Sequence, residues 1–348
     1  MSTLKSPQSL ATAGLIAPGQ AAALEPVASR YAVAVTGAMA RLIDRDDPFD
    51  PIARQFVPSE AELVTTPEER ADPIGDAVHS PVPGLVHRHK DRVLFKPVHA
   101  CPLYCRFCFR RETVGPEGKT ALSPQTLADA LAYVEAHGEI REVIFTGGDP
   151  FILTPRRIGE LGARFAAIAH VKILRWHTRL PVADPAAVSD DLVAALLVPG
   201  ATTLVALHAN HPRELTRAAR AAAARLIDAG IPLLSQSVLL KGVNDDAAVL
   251  EALLRAFLEC RIKPYYLHHP DLAPGTSHFR VSIDEGLALM RTLRARLTGI
   301  AIPSYVLDIP GGYAKVPLES RDAEKTPAGW RLRDPEGRWH PYPPAGPA

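Results

Sequence analysis

The chain has 348 residues, with 39 basic and 38 acidic side chains, a formal net charge of +1 and 47% hydrophobic content. That is long and apolar enough for one large core with an extension, and too balanced in charge for a nucleic-acid surface to be its main feature. Four cysteines, three of them clustered, do not make a secreted disulfide framework, and no apolar run approaches the roughly 18–20 residues of a membrane span.

Residues 1–26 lack a continuous apolar stretch and read as a loose start, not as a signal peptide. The expected location is the cytoplasm, with neither membrane nor nucleic acid as partner. The pattern predicts helices over 24–45 and 59–70, broken by Asp-Pro pairs. Residues 1–90 are therefore expected to be a helical section covering part of a larger core. From residue 92 onward, strand-like and helix-like runs alternate.

The first strand, 92–97, leads into Cys101-Pro-Leu-Tyr-Cys105-Arg-Phe-Cys108. Three thiolates on one loop can ligate three irons of a [4Fe–4S] cluster. Such clusters normally take four cysteines, so the fourth iron is left for a small molecule. A zinc site closed by Cys260 or His99, as in an interaction module, is one alternative, although zinc modules favour paired C-x2-C units. Three unrelated buried cysteines are the other.

A helix over 124–137, opened by Ser123, precedes a strand over 142–146 that ends in Gly147-Gly148-Asp149. Two glycines after a buried strand let the backbone approach a ligand closely; an ordinary strand–helix turn reads the same way. Strands over 171–176, 202–207, 232–239 and 264–268 then alternate with helices over 156–170, 212–229, 246–260 and 283–297. Six strand–helix units in series imply a parallel sheet with right-handed crossovers. Polar residues at the C-terminal ends of its strands, among them His208, Gln236 and Asp271, read as an active site. His208 reads equally well as a satisfied core histidine. A last strand, 304–309, runs into Pro310-Gly-Gly-Tyr-Ala-Lys315. A lysine after a glycine-bearing turn can carry pyridoxal phosphate covalently; otherwise it is a solvated surface residue. Residues 321–348 form a tail rich in proline and charge, expected to be semi-ordered.

Taken together, several strings resemble one family. They are Arg88, DRVLF (91–95), HACPLYCRFCFRR (99–111), FTGGDP (145–150), HTRLPV (177–182), HANHP (208–212), QSVLLKGVNDD (236–246), YYLHHPDLAPGTSHFR (265–280) and DIPGGYAKVP (308–317). In this order they are similar to the lysine 2,3-aminomutases among radical S-adenosylmethionine enzymes. The resemblance implies an α/β fold, an incomplete (βα)6 TIM-like barrel over 91–300, with a pyridoxal-bearing segment over 301–320. It implies a [4Fe–4S] cluster on Cys101, Cys105 and Cys108. S-adenosylmethionine would be held by Gly147, Gly148, Asp149, Gln236 and Ser237, and pyridoxal 5'-phosphate by Lys315, Arg88 and Arg92. Arg110 would pair with the substrate carboxylate, and Asp271 and Asp308 with the ε-ammonium of L-lysine. Both acids are present, which favours lysine over glutamate.

The chain departs from the family at Tyr313-Ala314, where many members carry more glycine. An electron donor such as flavodoxin or ferredoxin is implied, and a homo-oligomer is compatible with the resemblance. So is the branch that supplies β-lysine for modification of elongation factor P. A radical S-adenosylmethionine enzyme without pyridoxal phosphate would explain the cysteines but leave Lys315 and the aspartate pair idle.

Overall fold

The computed structural model describes residues 3–115, 122–319, 323–327, 329–333 and 338–342. Four short helices begin the chain: α1 (Pro7–Thr12), α2 (Gln20–Arg30), α3 (Gly37–Ala40) and α4 (Pro51–Phe56). The single helix expected over 24–45 is not formed. It stops at Arg30 because Tyr-Ala-Val-Ala-Val alternates with period two, and Val35 pairs antiparallel with Leu4. Thr36 then caps α3 and donates to Ala183 O at 2.5 Å. Over 59–70 the Ser59/Glu62 capping box is present, but only one 3-10 turn follows, Glu60–Leu63. Val64-Thr-Thr-Pro67 ends it, since β-branched residues before a proline disfavour helix.

The sheet starts at Leu85, inside the span read as helical. Its strands are β1 (Leu85–His89), β2 (Arg92–Val98), β3 (Glu142–Gly147), β4 (Ile173–Thr178), β5 (Thr202–His208), β6 (Leu233–Val238), β7 (Ile262–His268), β8 (Ser304–Asp308) and β9 (Lys315–Pro317). They lie side by side in chain order. From β2 to β8 every pairing is parallel; β1 and β9 are antiparallel edges. Among the described residues β1 and β9 do not pair with each other, so the barrel is incomplete, as expected.

The crossovers carry α5 (Pro124–Ala136), α6 (Pro155–Ala166), α7 (Leu180–Ala183), α8 (Asp190–Leu196), α9 (Arg217–Asp228), α10 (Ala247–Glu259) and α11 (Ile283–Arg296). The longer ones bury one stripe, as α6 does with Ile158, Leu161 and Phe165, whereas the four-residue α7 is buried throughout. Below the site, Phe145 and Trp176 stack at 3.8 Å between neighbouring strands.

Two prolines sit inside parallel strands of the main sheet, where the missing N–H must be accommodated. Pro97 lies where β2 slips register against β3, between Phe95 and Val98. Pro264 lies opposite the slip between Ser235 and Gln236. The first of these bulges turns the chain out of β2 and into the cysteine loop. The tail, read as semi-ordered, contains a separate antiparallel sheet of β10 (Ala323–Thr326), β11 (Gly329–Arg333) and β12 (Trp339–Tyr342). Among the described residues no helix is long and apolar enough to cross a membrane.

Candidate active site

The cysteine loop is strapped down by the N-terminal section. Tyr104 N donates to Ala34 O at 3.0 Å, and Arg106 N to Gln55 O at 2.9 Å. Arg106, between the second and third cysteines, is 2% exposed and bonds Glu62 through Nε at 3.0 and 3.1 Å and through Nη2 at 2.6 Å. Arg111 reaches the same carboxylate and lies over the Tyr31 ring at 3.5 Å. Burial alone would raise Glu62, but the two guanidiniums pull it below the usual carboxylate range.

The Gly-Gly-Asp corner holds the loop from the other side. Gly147 has φ +103°, and a Cβ on Gly148 would fall 2.2 Å from Ala100 O. Gly148 N donates to Val98 O at 2.8 Å, and Asp149 N to Ala100 O at 3.0 Å. The close approach that these glycines permit is therefore to the residues just before Cys101. The Asp149 carboxylate accepts from Phe151 N at 3.0 Å, Thr178 Oγ1 at 2.8 Å and Arg179 N at 2.8 Å, which ties β3 to β4. Gly148→Ala is expected to cut iron incorporation severalfold on anaerobic reconstitution. Gly138→Ala, with nothing within 4 Å of its new Cβ, should leave it unchanged. Equal iron content in the two variants would contradict this role.

All three loop cysteines are free thiols, and burial pushes each of them up, Cys108 to about 11. Coordination deprotonates a thiol outright, so the set fits iron ligation, with each sulfur on its own iron. Among the described residues, no three His, Cys, Asp or Glu groups gather to hold a single metal ion. Cys260 caps α10 just before β7, at the opposite end of the sheet from the loop after β2. Cys260 is therefore not placed to close a zinc site on the loop.

Across the barrel mouth, β8 and β9 set Asp308 and Lys315 directly opposite each other. Lys315 Nζ donates to Asp308 Oδ2, lies 3.3 Å from His268 Nδ1, and sits 5.4 Å from the Tyr266 ring centre. Arg88 Nη2 approaches Asp308 Oδ1 at 3.6 Å while its Nη1 donates to Ile74 O at 2.6 Å. Burial opposes ionisation of Asp308, but His268, 3.8 Å away, and the Lys315 charge hold it well below the usual range. Asp271 behaves oppositely: burial first, then the Asp308 charge, raise it to about 7. Asp308 takes the Lys315 ammonium as its direct partner, whereas Asp271 feels that charge and those of Arg110 and Arg88 through space, too weakly to offset its burial and the Asp308 charge. Arg88 Nε, His177 Nε2, His208 Nε2 and Asp308 Oδ1 are buried without a hydrogen-bond partner, as expected of groups that face a polar ligand.

Arg110 Nε bonds Asp76 at 2.9 Å, and its Nη1 bonds Thr146 Oγ1 at 3.3 Å. Lys96 also approaches Asp76, at 3.4 Å. Against its burial, Arg110 and Lys96 hold Asp76 at about 2. Asp76 and Lys96 had no sequence signal, because Asp76 stands in a loop 34 residues from Arg110. His208 stacks on Phe107 of the cysteine loop at 5.7 Å, so it faces the site. Gln236 lies beside it in the register.

Ser237 is a correction. Strand alternation turns its side chain to the helix layer, where it packs near Leu250 and Leu253 and donates to Ala209 O at 2.5 Å. Its side chain does not join the mouth. Arg92 stands at the rim, paired with Asp91 at 2.8 Å and 31% exposed; its charge is felt at His89.

Residues 95–253 match the Radical SAM superfamily model. A putative L-lysine 2,3-aminomutase of Aquifex aeolicus is 40% identical over 83% of this chain and 78% of its own length. The L-lysine 2,3-aminomutase of Escherichia coli is 37% identical over 83% and 84%. A glutamate 2,3-aminomutase of Clostridioides difficile is 33% identical over 85% and 69%. The cysteine loop and its glycine anchor lie within the residues that match the superfamily model, and the relatives named for lysine are 37–40% identical over most of the chain: the chain belongs to the lysine 2,3-aminomutase family of radical S-adenosylmethionine enzymes.

Proposed function

We propose that this chain interconverts L-lysine and β-lysine by 1,2-amino migration. The family also contains an enzyme named for glutamate, so the amino acid is read from the site. The carrying observation is that Asp308 is buried on Lys315 while the partly buried Asp271 feels the Asp308 charge and is raised to about 7. A second ammonium satisfies that arrangement, and an anionic side chain does not.

In this reading Cys101, Cys105 and Cys108 hold the [4Fe–4S] cluster. Gly147, Gly148, Asp149 and Gln236 border S-adenosylmethionine. Lys315, Arg88 and Arg92 hold pyridoxal phosphate. When bound, these groups supply the radical and the electron sink for the migrating nitrogen. The protein binds and orients. Arg110, steadied through Nε by Asp76 and through Nη1 by Thr146, offers Nη2 to the substrate carboxylate. Asp271 and Asp308 fix the far ammonium, and the buried walls exclude water. A low-potential donor of the flavodoxin or ferredoxin class supplies the electron. The cytoplasm is the setting that keeps the loop thiols reduced.

Incubation with pyridoxal phosphate followed by borohydride and peptide mapping tests the cofactor part. The expected result is one phosphopyridoxyl label, on Lys315; a label elsewhere, or none, refutes it. The pH profile tests the clamp. Asp271 faces Asp308, Lys315, Arg110 and Arg88. Because its pKa is raised, it is neutral below about 7 and charged above. KM for lysine should therefore be low above pH 7 and climb by up to about tenfold per unit below it. A flat profile between pH 6 and 8 would remove Asp271 from the clamp.

A further inference from the structure

Arg179 follows β4, and no part of the reading above uses its side chain. It is 7% exposed. Its Nη1 donates to Cys105 Sγ at 3.0 Å. Its Nη2 donates to Gln55 Oε1 at 2.8 Å and to Glu214 Oε2 at 2.5 Å. The guanidinium lies 4.6 Å from the Phe56 ring centre and 5.7 Å from that of Phe107. Glu214 is fully buried, and its other oxygen accepts from Asn210 N at 2.9 Å, His211 N at 3.0 Å and Gln55 Nε2 at 3.3 Å. The backbone of Arg179 is fixed as well, through its N–H to Asp149 Oδ2. A charged fork is thus held from four directions with one tine on a cluster ligand. Among the described residues no side-chain donor reaches Cys101 or Cys108 in the way Arg179 reaches Cys105. Cys105 receives a charge-assisted bond.

We propose that Arg179 is a positioning residue that sets the reduction potential of the [4Fe–4S] cluster through Cys105, with Glu214 as its counterweight. Reduction adds one electron, and so one negative charge, to the cluster and its three thiolates. A cationic donor on a ligand sulfur stabilises the reduced state and raises the potential. The buried Glu214 charge opposes that effect and limits it. The pair therefore trims the potential in two directions, and its two members act with opposite sign. Gln55, from α4, links this device to the N-terminal section. The proposal rests on the cluster ligands and not on the amino acid turned over, so a chain inactive toward lysine can still support or overturn it.

The test is a redox titration of the reconstituted protein, without substrate, followed by electron paramagnetic resonance of the reduced cluster, with iron measured per chain. Arg179→Met is expected to lower the reduced-to-oxidised ratio at a fixed poise by about tenfold, about 59 mV for one electron. Arg179→Lys should recover part of that loss. Glu214→Gln, which leaves the guanidinium uncompensated, should move the ratio the other way. The double variant Arg179→Met/Glu214→Gln removes both buried charges, so no lone carboxylate is left. It should titrate below wild type and above Arg179→Met. If Arg179→Met takes up no iron, the double variant and Glu214→Gln decide the matter by their opposite signs. Unchanged potentials, shifts of the same sign, or loss of iron in every variant would overturn the proposal and leave Arg179 a purely structural residue.

Discussion

Glu62→Gln is expected to destabilise the protein by about 3–5 kcal/mol, the range for breaking a buried ion pair from one side. Glutamine keeps the volume and shape, so the change isolates the charge. Glu62 is 0% exposed and carries three bonds from Arg106 as well as the contact from Arg111. Without it two guanidiniums stay buried with a neutral partner, and both belong to the cysteine loop. The loss should appear as a lower urea midpoint at unchanged slope. It should also appear as fewer irons retained per chain after gel filtration. A midpoint equal to that of the native protein would mean that the loop is held by its backbone bonds alone.

Asp308→Asn is expected to raise KM for lysine by roughly 30-fold or more, taking 2 kcal/mol as the lower figure for truncating one side of a buried charge pair. Asp308 meets Lys315, His268 and Arg88 at once. The asparagine variant loses the clamp charge while Cys101, Cys105, Cys108 and Gly147–Asp149 stay in place. S-adenosylmethionine cleavage by chemically reduced protein should therefore continue at its native rate. Normal lysine kinetics in this variant would place the ammonium elsewhere. Loss of S-adenosylmethionine cleavage would mean that Asp308 supports the barrel mouth more broadly.

What the chain revealed in advance was local. The cysteine spacing, the glycine corner and the Asp308–Lys315 segment are short strings, each carried on one strand end, and the parallel sheet brings strand ends together. The charged supports were hidden because their members are far apart in sequence: Gln55 lies 159 residues from Glu214, and Glu62 lies 44 from Arg106. Nothing in a capping box announces that its glutamate will face two arginines. Ser237 was a different kind of miss. Next to Gln236 on one strand, the two side chains must take opposite faces, so the alternation was present in the sequence and only one of the pair could enter the mouth. The helix expected over 24–45 failed for a related reason. The valines at 33 and 35 follow a strand period that the surrounding alanines and leucines disguise.

The central claim is that two acids select an amino acid with a distal ammonium for radical amino migration. The most direct measurement is an anaerobic assay of the protein reconstituted with iron, sulfide and pyridoxal phosphate. S-adenosylmethionine and a chemical reductant are added with L-lysine, L-glutamate or L-arginine, and β-amino acids are scored by mass spectrometry. The account predicts β-lysine from lysine and no β-glutamate from glutamate. β-Glutamate formation, or no β-amino acid from lysine while S-adenosylmethionine is cleaved, would contradict it.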